Sequence, residues 1–505
     1  MKRSRTNAAM LNASLAGILQ VITIIMLFVM QTFFIKFLGA NYLGVNGLFK
    51  NVLSFLSFAE LGVGGAMVYS LYEPLANNDY AQVSAIMRIF KHTYQLIGIV
   101  ILVLGLLLTP FITVFMHGGS PVPFPHLLFV LYLLNTVVSY FFTYKRSLLI
   151  ANQQGYKSTI NTFYFMLIQN VLQIIVLIFL KNYILYLVIQ IITTLLSNIV
   201  ISKIVDKEFN YLSDYKDEKV IPSTVDYMKK NIVGTVSSKI GTIIVFGSDN
   251  IMISTFLSVY LVGLYSNYML IVSGVTTLLN QVVSAVTASI GNLKATANVK
   301  QQKQVFYQYM FINTFLVFMS STILYGAITK FVIIWVGEKY KLAMVTVTLI
   351  IVNFVINQMR QPVLNFISAF GLYWPMRWKS LIEALVNIAA SMTLMLVFHL
   401  GINGVILGTI ISNIVINMWW EPYILLKYGL KIEVFEFIKS VLKQYSVITI
   451  GLILSYYVQN YFEVRNFFSL IIFVCTLGVV SLIIFVISYF NNKDLVYFTN
   501  LLKAK

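Results

Sequence analysis

Eight polar or charged residues lie inside long apolar segments, where a side chain that lipid would reject normally faces a cavity or a neighbouring helix. They are Lys50, Glu60, Arg146, Lys239, Asp249, Asn357, Arg360 and Gln361. Cationic side chains at this depth would offset the desolvation of an anionic group, and the carboxylates could partner these bases or a coupling ion. We therefore take the eight residues as the candidate substrate-binding set.

Several of these residues belong to polar stripes at helical spacing, which place their side chains on one helix face. The stripes are Asn46, Lys50, Ser54, Ser57, Glu60 and Gly64; Asn135, Ser139, Thr143 and Arg146; Ser273, Thr277, Asn280, Ser284 and Thr287; and Asn353, Asn357, Arg360, Gln361 and Asn365. One interpretation is a polar cavity, and the other is hydrogen bonding that holds helices together. Their occurrence in two matching pairs of segments favours the cavity.

The sequence gives little indication of a catalytic site or a metal site. The single cysteine, Cys475, excludes a disulfide framework and a cysteine metal site, and the four histidines lie near segment ends without ligand spacing. We expect no cofactor and no enzymatic activity. The energy source is left open, because without a nucleotide-binding loop a Na⁺ or H⁺ gradient is possible but nothing names the ion.

The composition requires a membrane environment. Of 505 residues, 59% are hydrophobic and only 10% are charged, whereas soluble proteins carry about 25% charged residues. A bilayer-spanning helix needs about 20 apolar residues, and this criterion predicts an all-α membrane protein with about fourteen spans. Their limits are 14–37, 44–70, 89–114, 124–149, 159–180, 183–203, 229–256, 261–289, 304–331, 342–369, 378–399, 402–426, 443–461 and 467–490.

The distribution of basic residues predicts the orientation. With the N-terminus inside, only six of the 35 lysines and arginines fall in outer segments, as the positive-inside rule requires. Both termini are then on the cytoplasmic side of the membrane. The net charge of +18 reflects this topology and favours contact with anionic lipids of the bilayer over nucleic acid.

An internal repeat organises the chain. Ser197–Ile201 and Ser412–Ile416 both read SNIVI, and Thr32–Val45 aligns with Ile251–Leu264 at a similar offset. A repeat of six spans places both halves in the membrane the same way up. We predict a six-helix lobe at 1–203, a cytoplasmic linker at 204–228, a second lobe at 229–427, and an interfacial segment with helices 13 and 14 at 428–505, the two lobes enclosing a central cavity.

Small residues predict close helix packing within each lobe. Gly404, Gly408 and Ser412 recur every fourth position, and Thr193 and Ser197 occupy matching places in the first repeat. Such spacing lets helix backbones approach closely in lipid.

Three segments resemble a known family. Leu43–Asp79, Ser248–Val272 and Thr287–Leu293 are similar to the polysaccharide-unit transporters (Wzx-like flippases) of the multidrug/oligosaccharidyl-lipid/polysaccharide exporter superfamily. The resemblance extends over nearly the whole chain and implies two six-helix lobes that alternate between inward-open and outward-open states. It also implies a substrate, an undecaprenyl-pyrophosphate-linked oligosaccharide unit, and the possibility of polysaccharide-assembly proteins as partners.

The resulting functional hypothesis is a flippase that moves this lipid-linked oligosaccharide to the outer leaflet for polysaccharide biosynthesis. One alternative is a drug/cation antiporter of the same fold, which would favour carboxylates and aromatic residues over bases. The other is a membrane polymerase or glycosyltransferase acting on the same lipid. Such enzymes usually need a large extramembrane loop or a carboxylate cluster, and neither is evident here.

Overall fold

The computed structural model describes the backbone of residues 5–60, 63–215, 218, 220–221, 247–372, 374–490, 492 and 495. Side chains are described for the same residues except 5–16, 58–59, 66, 282–289 and 291–296. Within these ranges the regular secondary structure is entirely helical. The predicted all-α class is therefore confirmed.

The helices follow one another with short connections, and we number them in chain order. They are α1 (Arg5–Leu38), α2 (Ala40–Leu56), α3 (Val63–Ala76), α4 (Tyr80–Leu108), α5 (Pro125–Ala151), α6 (Gly155–Phe179), α7 (Tyr183–Glu208), α8 (described over 247–256), α9 (Val259–Thr296), α10 (Val299–Val336), α11 (Met344–Met359), α12 (Gln361–Phe370), α13 (Lys379–Met392), α14 (Ile402–Ser412), α15 (Met418–Ile424), α16 (Val434–Tyr461) and α17 (Phe467–Ser488).

Twelve helical segments among the described residues are long and apolar enough to cross a membrane, and the protein is a multi-pass membrane protein. The prediction of about fourteen spans exceeds this number by two, and two of the predicted spans account for the difference. The predicted second span is divided into α2 and α3 by a 3₁₀ turn at Ser57–Glu60. Most of the predicted seventh span, 229–256, lies outside the described residues.

The predicted tenth span also differs from expectation, because it is two helices. The helix α11 ends at Met359 and α12 begins at Gln361, so Arg360 occupies the junction. Pro362 follows immediately; its ring removes a backbone donor, which is tolerated in the first turn of a helix but not in the interior. Arg360 itself keeps right-handed helical dihedral angles, with φ −75° and ψ −20°.

The predicted twelfth span contains two π-helical segments. Asn413–Asn417 separates α14 from α15, and Leu425–Leu430 follows α15. A π-helical turn accommodates one extra residue, and such turns are frequent at functional sites. Here the first of them carries Asn413, which accepts a hydrogen bond from Arg360, and Asn417, which donates to Glu383.

The chain forms two compact units, Met1–Gly263 and Leu264–Lys505, called the N-unit and the C-unit below. In the N-unit α5 packs against α3, α4 and α7, and α1 packs against α6. Residues near 260 belong to it because Gly263 lies directly against the backbone of Ala40. The lobe and linker limits derived from the repeat remain predictions.

The C-unit is built around α10, which packs against α11, α16 and α17, while α13 and α14 form a close pair. Most of the segment predicted to lie along the interface, at the start of 428–505, is the first part of α16, which continues without a break to Tyr461. One helix therefore contains most of this segment together with the thirteenth span, and the interfacial position of its first part stays a prediction.

The small residues predicted to allow close packing do so in the C-unit. An ideal Cβ on Gly408 would lie 2.5 Å from the backbone nitrogen of Ser391, and one on Gly404 would lie 2.9 Å from the carbonyl carbon of Leu394. Real Cβ atoms essentially never approach this closely. The packing of α14 against α13 and the π-helical segment that follows it, Thr393–Val397, therefore depends on glycine at both positions, as the spacing predicted.

Replacing Gly408 with alanine is expected to destabilise the C-unit by about 1–3 kcal/mol, because the methyl group must displace the backbone of a packed helix. Thermal unfolding of the purified protein in detergent measures this change. Gly478→Ala is the matched control, since its Cβ would meet Ile323 at an ordinary 3.7 Å. Equal melting temperatures for the two variants would contradict the packing interpretation.

Candidate functional site

The central feature of the C-unit is a buried ion pair between Arg360 and Glu421. The guanidinium Nε donates to Glu421 Oε2 over 2.9 Å, and Nη2 donates to Oε1 over 2.5 Å. The Arg360 side chain is 12% exposed and that of Glu421 is fully buried. This two-point contact is the strongest geometry available to an arginine and a carboxylate.

A second cation and a second carboxylate complete the cluster. Lys379 Nζ lies 2.7 Å from Glu421 Oε1 and 2.8 Å from Glu383 Oε2. Lys379 and Glu383 are four residues apart on α13 and form a helical ion pair, which is one part of a larger network. Two positive and two negative charges balance, so the cluster as a whole is neutral.

Amide side chains fill the remaining hydrogen-bonding positions. Arg360 Nη1 donates to Asn413 Oδ1 over 2.5 Å and to Asn357 Oδ1 over 3.1 Å. Asn417 Nδ2 donates to Glu383 Oε1 over 2.6 Å and to Asn413 Oδ1 over 2.7 Å. Burying charges is tolerable when they are paired and hydrogen-bonded in this way. The four-charge cluster and its asparagines are called the C-unit network.

The N-unit holds its own half-buried arginine, Arg146, on α5. Nη1 donates to Ser158 Oγ (3.1 Å) and Thr162 Oγ1 (2.7 Å), whereas Nη2 donates to Ser197 Oγ (3.1 Å) and Asn198 Oδ1 (3.0 Å). All four acceptors are neutral oxygens. No described carboxylate forms a salt bridge with Arg146, so hydrogen bonds orient its guanidinium without cancelling its charge.

The two arginines are repeat-related. Arg146 and Arg360 are 214 residues apart, and their partners Asn198 and Asn413 are 215 apart, within the duplicated SNIVI sequence. The same arginine–asparagine hydrogen bond forms in both units. This correspondence was available in the sequence, but the sequence analysis compared other pairs and missed it.

The carboxylates at the matching positions are used differently. Asp206 lies 215 residues before Glu421, yet it pairs with Lys145, whose Nζ is 2.6 Å from Asp206 Oδ2 and from Ser202 Oγ. Position 359, at the lysine's place in the second repeat, is a methionine. In the N-unit the carboxylate therefore neutralises the lysine and leaves the arginine charged, while in the C-unit it neutralises the arginine.

The other predicted residues are dispersed. Gln361 donates to the backbone of Asn357 over 3.2 Å, so both belong with Arg360. Lys50 is exposed on α2 and forms no salt bridge with a described residue. Asp249 lies half-buried on α8, and Lys239 lies outside the described residues.

Glu60 lies in the 3₁₀ turn between α2 and α3, where it interacts with Tyr140. It borders a cleft of about 380 Å³ between α3, α4 and α5. Among the described residues, no group of three histidine, cysteine or acidic side chains is arranged to hold a metal ion.

Glu421 is the main functional-site candidate that the sequence analysis missed. It is a carboxylate within a predicted span, and such residues are rare enough to be examined individually. Its separation of 61 residues from Arg360 gives no local signal of pairing. The 215-residue offset from Asp206 was the available indication.

The helical arrangement is similar to that of solved transporters of the multidrug/oligosaccharidyl-lipid/polysaccharide (MOP) superfamily. The lipid II flippase MurJ, in an inward closed conformation, superposes with a TM-score of 0.62 at 18% identity, covering 96% of this chain and 98% of its own. An inward-facing multidrug resistance MATE family transporter gives 0.59 at 15% identity, covering 82% and 99%.

A MOP superfamily transporter from Pyrococcus furiosus, described as having a binding pocket of reverse polarity, gives 0.54 at 13% identity, covering 84% and 96%. No protein-family model and no curated protein sequence matches the chain. At these identities the superpositions establish the fold, and the site must be interpreted from its own residues.

Proposed function

We propose that this protein is a flippase that carries a lipid-linked oligosaccharide, joined to its lipid through a pyrophosphate, from the inner to the outer leaflet of a bacterial plasma membrane. The observation that carries the proposal is Arg146. A guanidinium whose charge no described carboxylate balances, on a membrane-spanning helix, is a favourable partner for a phosphate. No enzymatic step is required of the protein.

The position of Arg146 fits an entry site on the inner side. It lies five residues before Ala151, the last residue of α5, which corresponds to about 8 Å along the helix axis. With both termini inside, this end of α5 is cytoplasmic. A phosphate from the inner leaflet would meet the guanidinium before crossing the apolar core.

Lys50 supports the same assignment. Like Arg146 it forms no salt bridge with a described residue, and its side chain is accessible on α2. A pyrophosphate carries more than one negative charge, so two separate cations offset its desolvation better than one. The C-unit network, being neutral, is assigned a structural role in this proposal.

The extent of the similarity also supports a flippase over a drug exporter. The protein named as the lipid II flippase covers 96% of this chain, whereas the MATE family transporter covers 82%.

The direct test is to delete the gene and identify the lipid-linked intermediate that accumulates. We expect an undecaprenyl-pyrophosphate oligosaccharide to accumulate on the cytoplasmic side, detected by mass spectrometry of extracted lipids and by its inaccessibility to glycan-binding lectins applied outside. Expression of the intact gene should clear it. Unchanged lipid-linked pools, combined with greater sensitivity to organic cations, would instead support the antiporter alternative.

A further inference from the structure

The cleft beside Glu60 has the chemistry of a sugar-binding site. It is lined by the carboxylate of Glu60, the hydroxyls of Thr143 and Ser147, and the rings of Tyr69, Tyr72 and Tyr94. Its volume of about 380 Å³ is within the range of small-molecule sites, about 300–1,000 Å³. All of these residues belong to the N-unit.

The Tyr94 hydroxyl provides an independent indication of a ligand. Tyr94 is fully buried, and its hydroxyl makes no hydrogen bond to any described residue. An ideal Cβ on Gly64 would lie 3.0 Å from this oxygen, so a side chain at position 64 would crowd the hydroxyl of a tyrosine that lines the cleft. A buried hydroxyl without a partner is costly, and a ligand in the cleft would supply one.

Aromatic rings and open backbone form the rest of the cleft. Tyr69 and Tyr72 are 58% and 48% exposed, with ring centroids 5.9 Å apart in an edge-on arrangement. Gly65 has no atom within 4 Å of the position its Cβ would take. A sugar ring could therefore lay its apolar C–H face against a tyrosine while its hydroxyls reach the polar groups.

We propose that this cleft binds the glycan of the transported lipid, with Glu60 accepting hydrogen bonds from sugar hydroxyls; this inference rests on the proposed function. The Tyr94 hydroxyl favours a sugar over an organic cation. A sugar hydroxyl both donates and accepts hydrogen bonds, so it satisfies the tyrosine and the carboxylate together. A cation would pair with Glu60 but would offer the tyrosine proton no acceptor.

The test uses the full-length protein purified in nanodiscs and saturation-transfer difference NMR. The probes are free hexoses and N-acetylhexosamines, which carry neither lipid nor phosphate, and tetraphenylphosphonium as an organic cation. We expect saturation to pass to the ring protons of at least one sugar. Gly65→Phe should abolish that transfer by filling the cleft, and Glu60→Gln should weaken sugar binding roughly tenfold, since a charge-assisted hydrogen bond is lost.

Gly17→Phe is the matched control, because Gly17 on α1 also has no atom within 4 Å of its Cβ position. Its sugar signal should equal that of the unmodified protein. Absence of transfer to every sugar, or transfer that survives Gly65→Phe, would overturn the proposal. The proposal would also be overturned if tetraphenylphosphonium bound to the protein and both Gly65→Phe and Glu60→Gln removed that binding. The cleft would then be a cation site.

Binding of inorganic pyrophosphate to the same preparations separates this proposal from the proposed function. Pyrophosphate binding that depends on Arg146 should persist in Gly65→Phe, because the Arg146 side chain contacts α6 and α7 and not the cleft. Failure of the cleft proposal alone would therefore not contradict the proposed anion-binding site at Arg146. Sugar binding without an accumulated intermediate in the deletion strain would contradict the flippase instead.

Discussion

Replacing Arg360 with methionine is expected to destabilise the protein by about 3–5 kcal/mol, because removal of one member of a buried ion pair leaves the other charge buried and undercompensated. Glu421 would keep only Lys379, which Glu383 also requires. The expected result is a large fall in the melting temperature of the detergent-purified protein and in its yield from membranes. Fluorescence-detected thermal unfolding gives the melting temperatures of the wild type and the variant.

The double variant Arg360→Met with Glu421→Gln separates an electrostatic effect from simple loss of packing. It removes one positive and one negative charge and leaves Lys379 paired with Glu383. We expect it to recover most of the lost stability, since a neutral replacement of a buried pair is often close to neutral in free energy. A double variant as unstable as the single one would contradict this account of the C-unit network.

The exposed pair of Arg465 with Glu463 is the matched control for charge removal. Both side chains are about four-fifths exposed, at 83% and 79%. Exposed ion pairs contribute little because water screens them. Arg465→Met should therefore leave the melting temperature nearly unchanged.

Much of the fold follows from the sequence because lipid imposes simple rules. Apolar length gave the spans, and the all-α class was the necessary outcome, since a spanning helix satisfies its own backbone hydrogen bonds. The departures occur where the chain breaks a helix locally. The Ser57–Glu60 turn and the Arg360 junction interrupt apolar segments that a hydropathy criterion treats as continuous.

The site was harder to predict, because polarity at depth identifies residues without identifying their partners. Arg360 and Arg146 were both chosen for their charge, but the charge of one is cancelled and that of the other is not. The difference depends on Glu421 and Asp206, which are 61 and 60 residues from these arginines in sequence. A single sequence contains no local pattern for contacts at such separation.

The duplication explains how this difference could arise. Each unit keeps an arginine bonded to the asparagine of its SNIVI sequence, so the scaffold of the contact is shared. The two units differ in the basic residue that pairs with the repeat-related carboxylate, which is Lys145 in the N-unit and Arg360 in the C-unit. Two copies of one arrangement thus present one charged and one neutralised guanidinium.

Arg146 is therefore the position where substitution should have the largest effect on transport. Arg146→Gln removes the charge but keeps a hydrogen-bonding side chain for Ser197 and Asn198. We expect export to fall by roughly 10–100-fold, corresponding to the loss of a charged hydrogen bond of about 1.5–3 kcal/mol. The measurement is the rate at which the accumulated lipid-linked intermediate is cleared when each variant is expressed in the deletion strain.

Arg146→Lys tests whether the charge itself is required. Lysine keeps the charge but lacks the forked guanidinium that contacts four oxygens, so the lysine variant should retain part of the export activity. The expected order of export rates is arginine, then lysine, then glutamine. Arg465→Gln, at an exposed position, should export normally. If glutamine supports export as well as lysine, Arg146 acts only by hydrogen bonding. The anion-binding proposal then fails, because a neutral amide cannot balance the charge of a phosphate.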